Sequence, residues 1–141
     1  MTRFVRWLLI IPAAVAAWYA ALVSGISLHR GVDALCPADQ VVSGLCVAPW
    51  YQAASATVIC MGAGLAAVLI LLACTLLAPS HRRRVAIATF IVGAVVAIVM
   101  GISANALGPL VTAIVAGGVG LRIILWRLAP LALPNNSLAP P

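Results

Sequence analysis

A chain of 141 residues that is 65% hydrophobic and 7% charged lies far from ordinary soluble domains, in which about a quarter of residues carry charge. Its net charge of +6 comes from eight arginines and no lysine set against two acids. The arginines stand at the ends of apolar runs, so the basicity reads as membrane topology and contact with anionic headgroups, and a nucleic-acid surface is excluded.

The uncharged runs extend from Trp7 to Leu28, Trp50 to Leu77, Val85 to Leu107 and Gly108 to Leu121. The first three each meet the roughly 20 residues that a bilayer crossing takes. The expected fold is all-α: a polytopic four-transmembrane-helix bundle forming one domain over 1–130, with helices at about 5–28, 51–78, 85–106 and 109–128. Arg3, Arg6, Arg82, Arg83, Arg84, Arg122 and Arg127 all fall at one set of run ends, and only Arg30 falls at the other, beside Asp33 and Asp39. Positive residues in short loops mark the cytoplasmic side, so both termini are expected inside and the 29–50 loop outside.

In run one, Arg3 and Arg6 followed by leucines resemble the start of a signal peptide. The apolar stretch is longer than a 7–15-residue signal core, so it is expected to remain as a span. Its small residues Ala13, Ala17, Ala20, Ser24 and Ser27 suit close packing on a neighbouring helix. Trp18 and Tyr19 lie well inside the run; in a functional role they would line a lipid tail or a quinone-like ring.

The following loop holds Cys36 and Cys46, which on an oxidising side should pair. Closing that loop stabilises by roughly 2 to 3 kcal/mol in the chain-entropy model. No C-x-x-C is present to make the pair a redox centre. Run two opens on Trp50-Tyr51, suited to the interfacial belt, and ends at Ala78-Pro79. The short arginine-bearing connection to Arg84 makes runs two and three antiparallel neighbours.

Run three carries a small residue every four positions: Thr89, Gly93, Ala97, Gly101 and Asn105. Such a ridge marks a tight helix crossing, with the Asn105 amide available to a partner. Gly108-Pro109 should turn the chain into run four, whose own small face is Ala113 and Gly117. Arg122 should start within the cytoplasmic leaflet and snorkel to its surface, with Arg127 at the headgroups. The proline-rich 131–141 segment is expected to be a flexible cytoplasmic tail.

Ionisable groups inside a membrane are the first place to look for function. No Asp or Glu lies in any of the four runs, which argues against small multidrug-type antiporters that depend on a membrane carboxylate. His29 and His81 fall on opposite faces and cannot share a haem, and His29 with Asp33 and the cysteines matches no recurrent metal spacing. No catalytic residue, metal or cofactor is expected. The leading reading is a non-catalytic accessory, assembly or stabilising subunit in a bacterial inner membrane, packing on another membrane protein or on itself. Two alternatives stand beside it. One is a small oligomeric channel or transporter lined by Ser24, Ser27, Thr89 and Asn105. The other is a lipid-binding or lipid-modifying protein using Arg82, Arg83, Arg84, Arg122 and Arg127 for headgroup phosphates.

Overall fold

The computed structural model describes residues 3–129. Four helical spans of 30, 27, 22 and 22 residues are each long and apolar enough to cross a membrane, as expected of a multi-pass membrane protein. The first is α1 (Arg3–Leu8) continued by α2 (Ile10–Ala34). Leu9 between them keeps helical dihedrals, and the hydrogen bonds from Leu9 N–H to the Val5 carbonyl and from Ala13 N–H to the Leu9 carbonyl are intact at 3.1 Å. The interruption traces to Pro12, which has no N–H to offer the Leu8 carbonyl.

α2 runs six residues beyond the Leu28 end expected from the apolar run. His29 and Asp33 account for the extension, because one helical turn apart on α2 they face each other at 3.3 Å and support the extra turns. Beyond them comes a short 3-10 turn (Ala38–Gln40) and a two-stranded antiparallel hairpin, β1 (Val41–Val42) with β2 (Leu45–Cys46). Ser43 and Gly44 both have positive φ, 52° and 81°, the backbone of a two-residue hairpin turn of the primed type. A Cys36–Cys46 disulfide, as expected, ties β2 back to the end of α2.

α3 (Tyr51–Leu77) is the organising helix. Its Cys60, Gly64, Ala67, Val68 and Leu71, at helical spacing, meet α5 (Leu107–Leu128), while Gly62 on the opposite side meets α2. The register fixes the directions. Gly64 lies against Thr112 and Ala116, and Leu71 against Gly120, so α3 and α5 run parallel. Gly101 of α4 (Arg82–Ser103) meets Leu110 and Phe90 meets Gly117, so α4 and α5 are antiparallel. Most of the buried side chains lie at the arginine end of α3 and the start of α4: Leu71 is 2% exposed, Ala78 and Ala86 are fully covered, and Cys74 and Thr75 are buried with them. α2 packs chiefly on α3 among the long helices, so the bundle is a three-helix cluster with α2 alongside.

The α4–α5 turn differs from the Gly108-Pro109 turn expected from the sequence. Asn105 takes the left-handed conformation (φ 51°), with its N–H bonded to the Ile102 carbonyl and the Ala106 N–H bonded to the Gly101 carbonyl. That pair of bonds is a Schellman ending, and Asn is the residue after Gly that tolerates it best. Gly108 and Pro109 instead lie in the first turn of α5, where a missing N–H costs little. Asn105→Val should therefore lower stability by roughly 1–2 kcal/mol while Asn105→Gly does not, measured by denaturant unfolding in detergent; equal stability of the two variants would contradict the assignment.

Candidate functional site

At the loop end, α2 and α3 are joined by a polar chain. The Tyr51 hydroxyl donates to Asp33 Oδ1 at 2.6 Å, Asp33 Oδ2 faces His29 Nδ1 at 3.3 Å, and His29 Nε2 meets Ser55 Oγ at 2.9 Å. The order of hydroxyl, imidazole and carboxylate is that of a serine-hydrolase relay. Ser55, however, stands inside α3 with helix on both sides, where the local backbone N–H groups are spent on the helix and cannot stabilise an oxyanion. The chain acts as a clamp. It spans the two helices with each polar tip satisfied, and no buried side-chain polar atom among the described residues lacks a partner.

Below the clamp, an apolar groove of about 540 Å³ runs along the seam between α2 and α3. Trp18 lines its deep end and His29 and Arg30 its mouth, with Gly25 and Gly62 between. A Cβ on Gly62 would lie 3.9 Å from the Gly25 Cα, whereas one on Gly25 would meet nothing within 4 Å. The groove was not legible in the sequence beyond the oddity of Trp18 deep in an apolar run.

The small-residue ridge of run three divides. Gly101 is buried and a Cβ there would stand 2.8 Å from the Leu110 Cβ; Gly101 is an α4–α5 crossing point. Gly93, two turns earlier, is exposed and a Cβ would meet nothing within 4 Å. Thr89 and Ala97 are half-buried, and Asn105 is exposed because it ends the helix instead of closing the ridge. On α5, Gly117 is buried with Phe90 3.3 Å from where its Cβ would be, and Ala113 is half-buried. The described residues expected to line a channel do not share a path within the chain. Ser24 and Ser27 are exposed on α2 with hydroxyls donating to the Ala20 and Val23 carbonyls, and Thr89 and Asn105 stand toward opposite ends of α4.

Arg82, Arg83, Arg84, Arg122 and Arg127 are all exposed. Arg82 Nε donates to the Ala78 carbonyl at 3.2 Å, capping the end of α3, and the Arg127 guanidinium lies 5.9 Å from the Trp126 ring centre. Because successive long helices alternate in direction, these arginines and Arg6 share one end of the molecule. No group of three or more His, Cys, Asp or Glu among the described residues is placed to hold a metal. The 131–141 tail lies outside the described residues. The chain matches no protein-family model, no curated protein and no solved structure.

Proposed function

We propose that this chain is a non-catalytic accessory or assembly subunit of a larger membrane complex, packing through the outward face of α4. The observation that carries the reading is the split ridge. Gly101 is consumed by contact with Leu110 inside the chain, whereas Gly93 on the same helix leaves a notch, where a Cβ would have no atom within 4 Å. Between lipid-embedded helices such a notch admits a second backbone more closely than a larger residue would. The acid-free interior of the four runs supports the same reading, since coupling and catalysis in membranes ordinarily draw on buried ionisable groups.

The proposed setting is a bacterial inner membrane with both termini inside. Two features agree on that orientation: the arginines gather at one end, and the disulfide lies at the other, where an oxidising compartment would keep it. In this setting Arg82, Arg83, Arg84, Arg122 and Arg127 contact anionic lipids on the cytoplasmic side.

Gly93→Leu is the test, because position 93 is exposed and a Cβ there would meet no atom of its own chain within 4 Å. Purified in mild detergent, the wild-type chain should carry a stoichiometric membrane partner, and the variant should lose it while keeping its helicity and disulfide. A wild-type chain that emerges as a homo-oligomer conducting ions or solutes in liposomes would overturn the proposal in favour of a channel.

A further inference from the structure

The groove between α2 and α3 has the dimensions of one bilayer leaflet. Trp18 at its deep end and Arg30 at its mouth are twelve positions apart on α2, about 18 Å at the helical rise, against roughly 15 Å for half of a 30 Å hydrocarbon core. Its mouth therefore stands at headgroup level when its deep end stands near the midplane. The groove is also long and apolar, lined between those ends by Ala21, Leu22, Ile26 and Ile59. Its elongated shape and apolar lining suit an extended hydrocarbon chain.

Charge at the mouth selects the headgroup. Both oxygens of Asp33 are engaged, one by the Tyr51 hydroxyl and the other by His29. Arg30, which lines the mouth, makes no ion pair among the described residues. It is the one arginine at this end of the molecule, placed where an arginine is unnecessary for positive-inside topology. A guanidinium meets phosphate through two parallel hydrogen bonds.

We propose that the α2–α3 groove seats an anionic glycerophospholipid of the leaflet on the loop side, one acyl chain lying along the groove toward Trp18 and the phosphate on Arg30. The clamp of His29, Ser55, Asp33 and Tyr51 holds the mouth at fixed width. A lipid here leaves the α4 face free, so the site stands or falls separately from partner packing.

The full-length chain, reconstituted in nanodiscs of phosphatidylglycerol and phosphatidylcholine and released for native mass spectrometry, tests this. The wild type should retain one phosphatidylglycerol per chain in preference to phosphatidylcholine. Arg30→Glu should reduce that retention about tenfold, the worth of one charge-assisted hydrogen bond. Gly25→Leu, whose Cβ would meet nothing within 4 Å and which stands in the groove lining, should reduce retention of both lipids. Val115→Ala, exposed on α5 and outside the groove lining, should leave retention at wild-type level. Size-exclusion profile and an intact disulfide verify that each variant is folded. Equal retention of the two lipids by the wild type would mean ordinary bilayer solvation and would overturn the proposal. So would retention unchanged in both folded Arg30→Glu and Gly25→Leu, or efficient crosslinking of a Gly25→Cys chain to a second copy.

Discussion

Gly101→Leu is expected to break the α4–α5 hairpin, lowering stability by about 3 kcal/mol or more, toward and beyond the upper end of the roughly 1–3 kcal/mol range for overpacked sites. A Cβ at this position would stand 2.8 Å from the Leu110 Cβ, with the Leu110 Cγ at 3.2 Å and Cδ2 at 3.1 Å. The obstructing atom closest to it is the root of a side chain and not its flexible end. The two helices must therefore separate for the leucine to fit. Separation is costly here because the crossing lies just before the Schellman turn, so it also disturbs the Ala106 N–H bond to the Gly101 carbonyl at 2.9 Å. Leu110→Ala in the same chain should recover part of the loss by removing the outer atoms of the obstruction, a coupling that a double-mutant cycle reads directly. Gly93→Leu on the same helix should leave the isolated chain's stability within about 0.5 kcal/mol. Steric trapping or denaturant unfolding in detergent measures all four variants; similar losses at positions 93 and 101 would refute the split of the ridge.

Replacing Cys36 and Cys46 together with serine is expected to loosen the loop while the membrane helices persist. The cross-link closes a short segment, sequence separation 10, worth about 2.5–3 kcal/mol by loop-closure entropy. What it holds is small: a hairpin of two residues per strand, and the Val47 N–H bond to the Gln40 carbonyl at 2.9 Å. An isolated hairpin of this size is not stable in water. Amide exchange at Val42, Leu45 and Val47 should therefore accelerate by about a hundredfold, and protease cleavage between residues 37 and 45 should appear, with exchange in α3 unchanged. Protection at those amides that survives in the double serine variant would show that packing, not the disulfide, orders the loop. Cys60 and Cys74 lie within α3 and are not rival partners for this bond, so the two serines test one cross-link.

Much of the site was legible only in pieces. The ridge from Thr89 to Asn105 is a true period-four pattern, yet a ridge states which positions are small, not which of them a neighbour occupies. Gly101 and Gly93 look alike in the sequence and differ wholly in what surrounds them. Gly108 offered the more familiar turn signal, but Asn105 supplies the left-handed residue, and Gly108 is needed where α5 passes Cys60 with only 3.3 Å to a Cβ position. The Val-Val-Ser-Gly-Leu-Cys stretch does hold a hairpin signal, two short apolar pairs around Ser-Gly. It is easily overlooked in a loop marked chiefly by its cysteines.

Hydrophobic length and the placement of eight arginines determined, from sequence alone, that the chain holds four helices long and apolar enough to cross a membrane, because the cost of placing charge or unpaired backbone in hydrocarbon leaves few alternatives. The Cys36–Cys46 pairing was equally local, since those two thiols share one short loop. Only the tertiary structure decided that α2 stands beside a three-helix cluster, that His29 reaches Ser55 across 26 residues of chain, and that a groove opens between Trp18 and Arg30. Those features depend on which faces meet, and in a membrane nearly every face is apolar, so the hydrophobic pattern that selects faces in water carries no such instruction here. Contact is chosen instead by ångström-scale fit at residues such as Gly62 and Gly101, which becomes visible only when the helices are assembled.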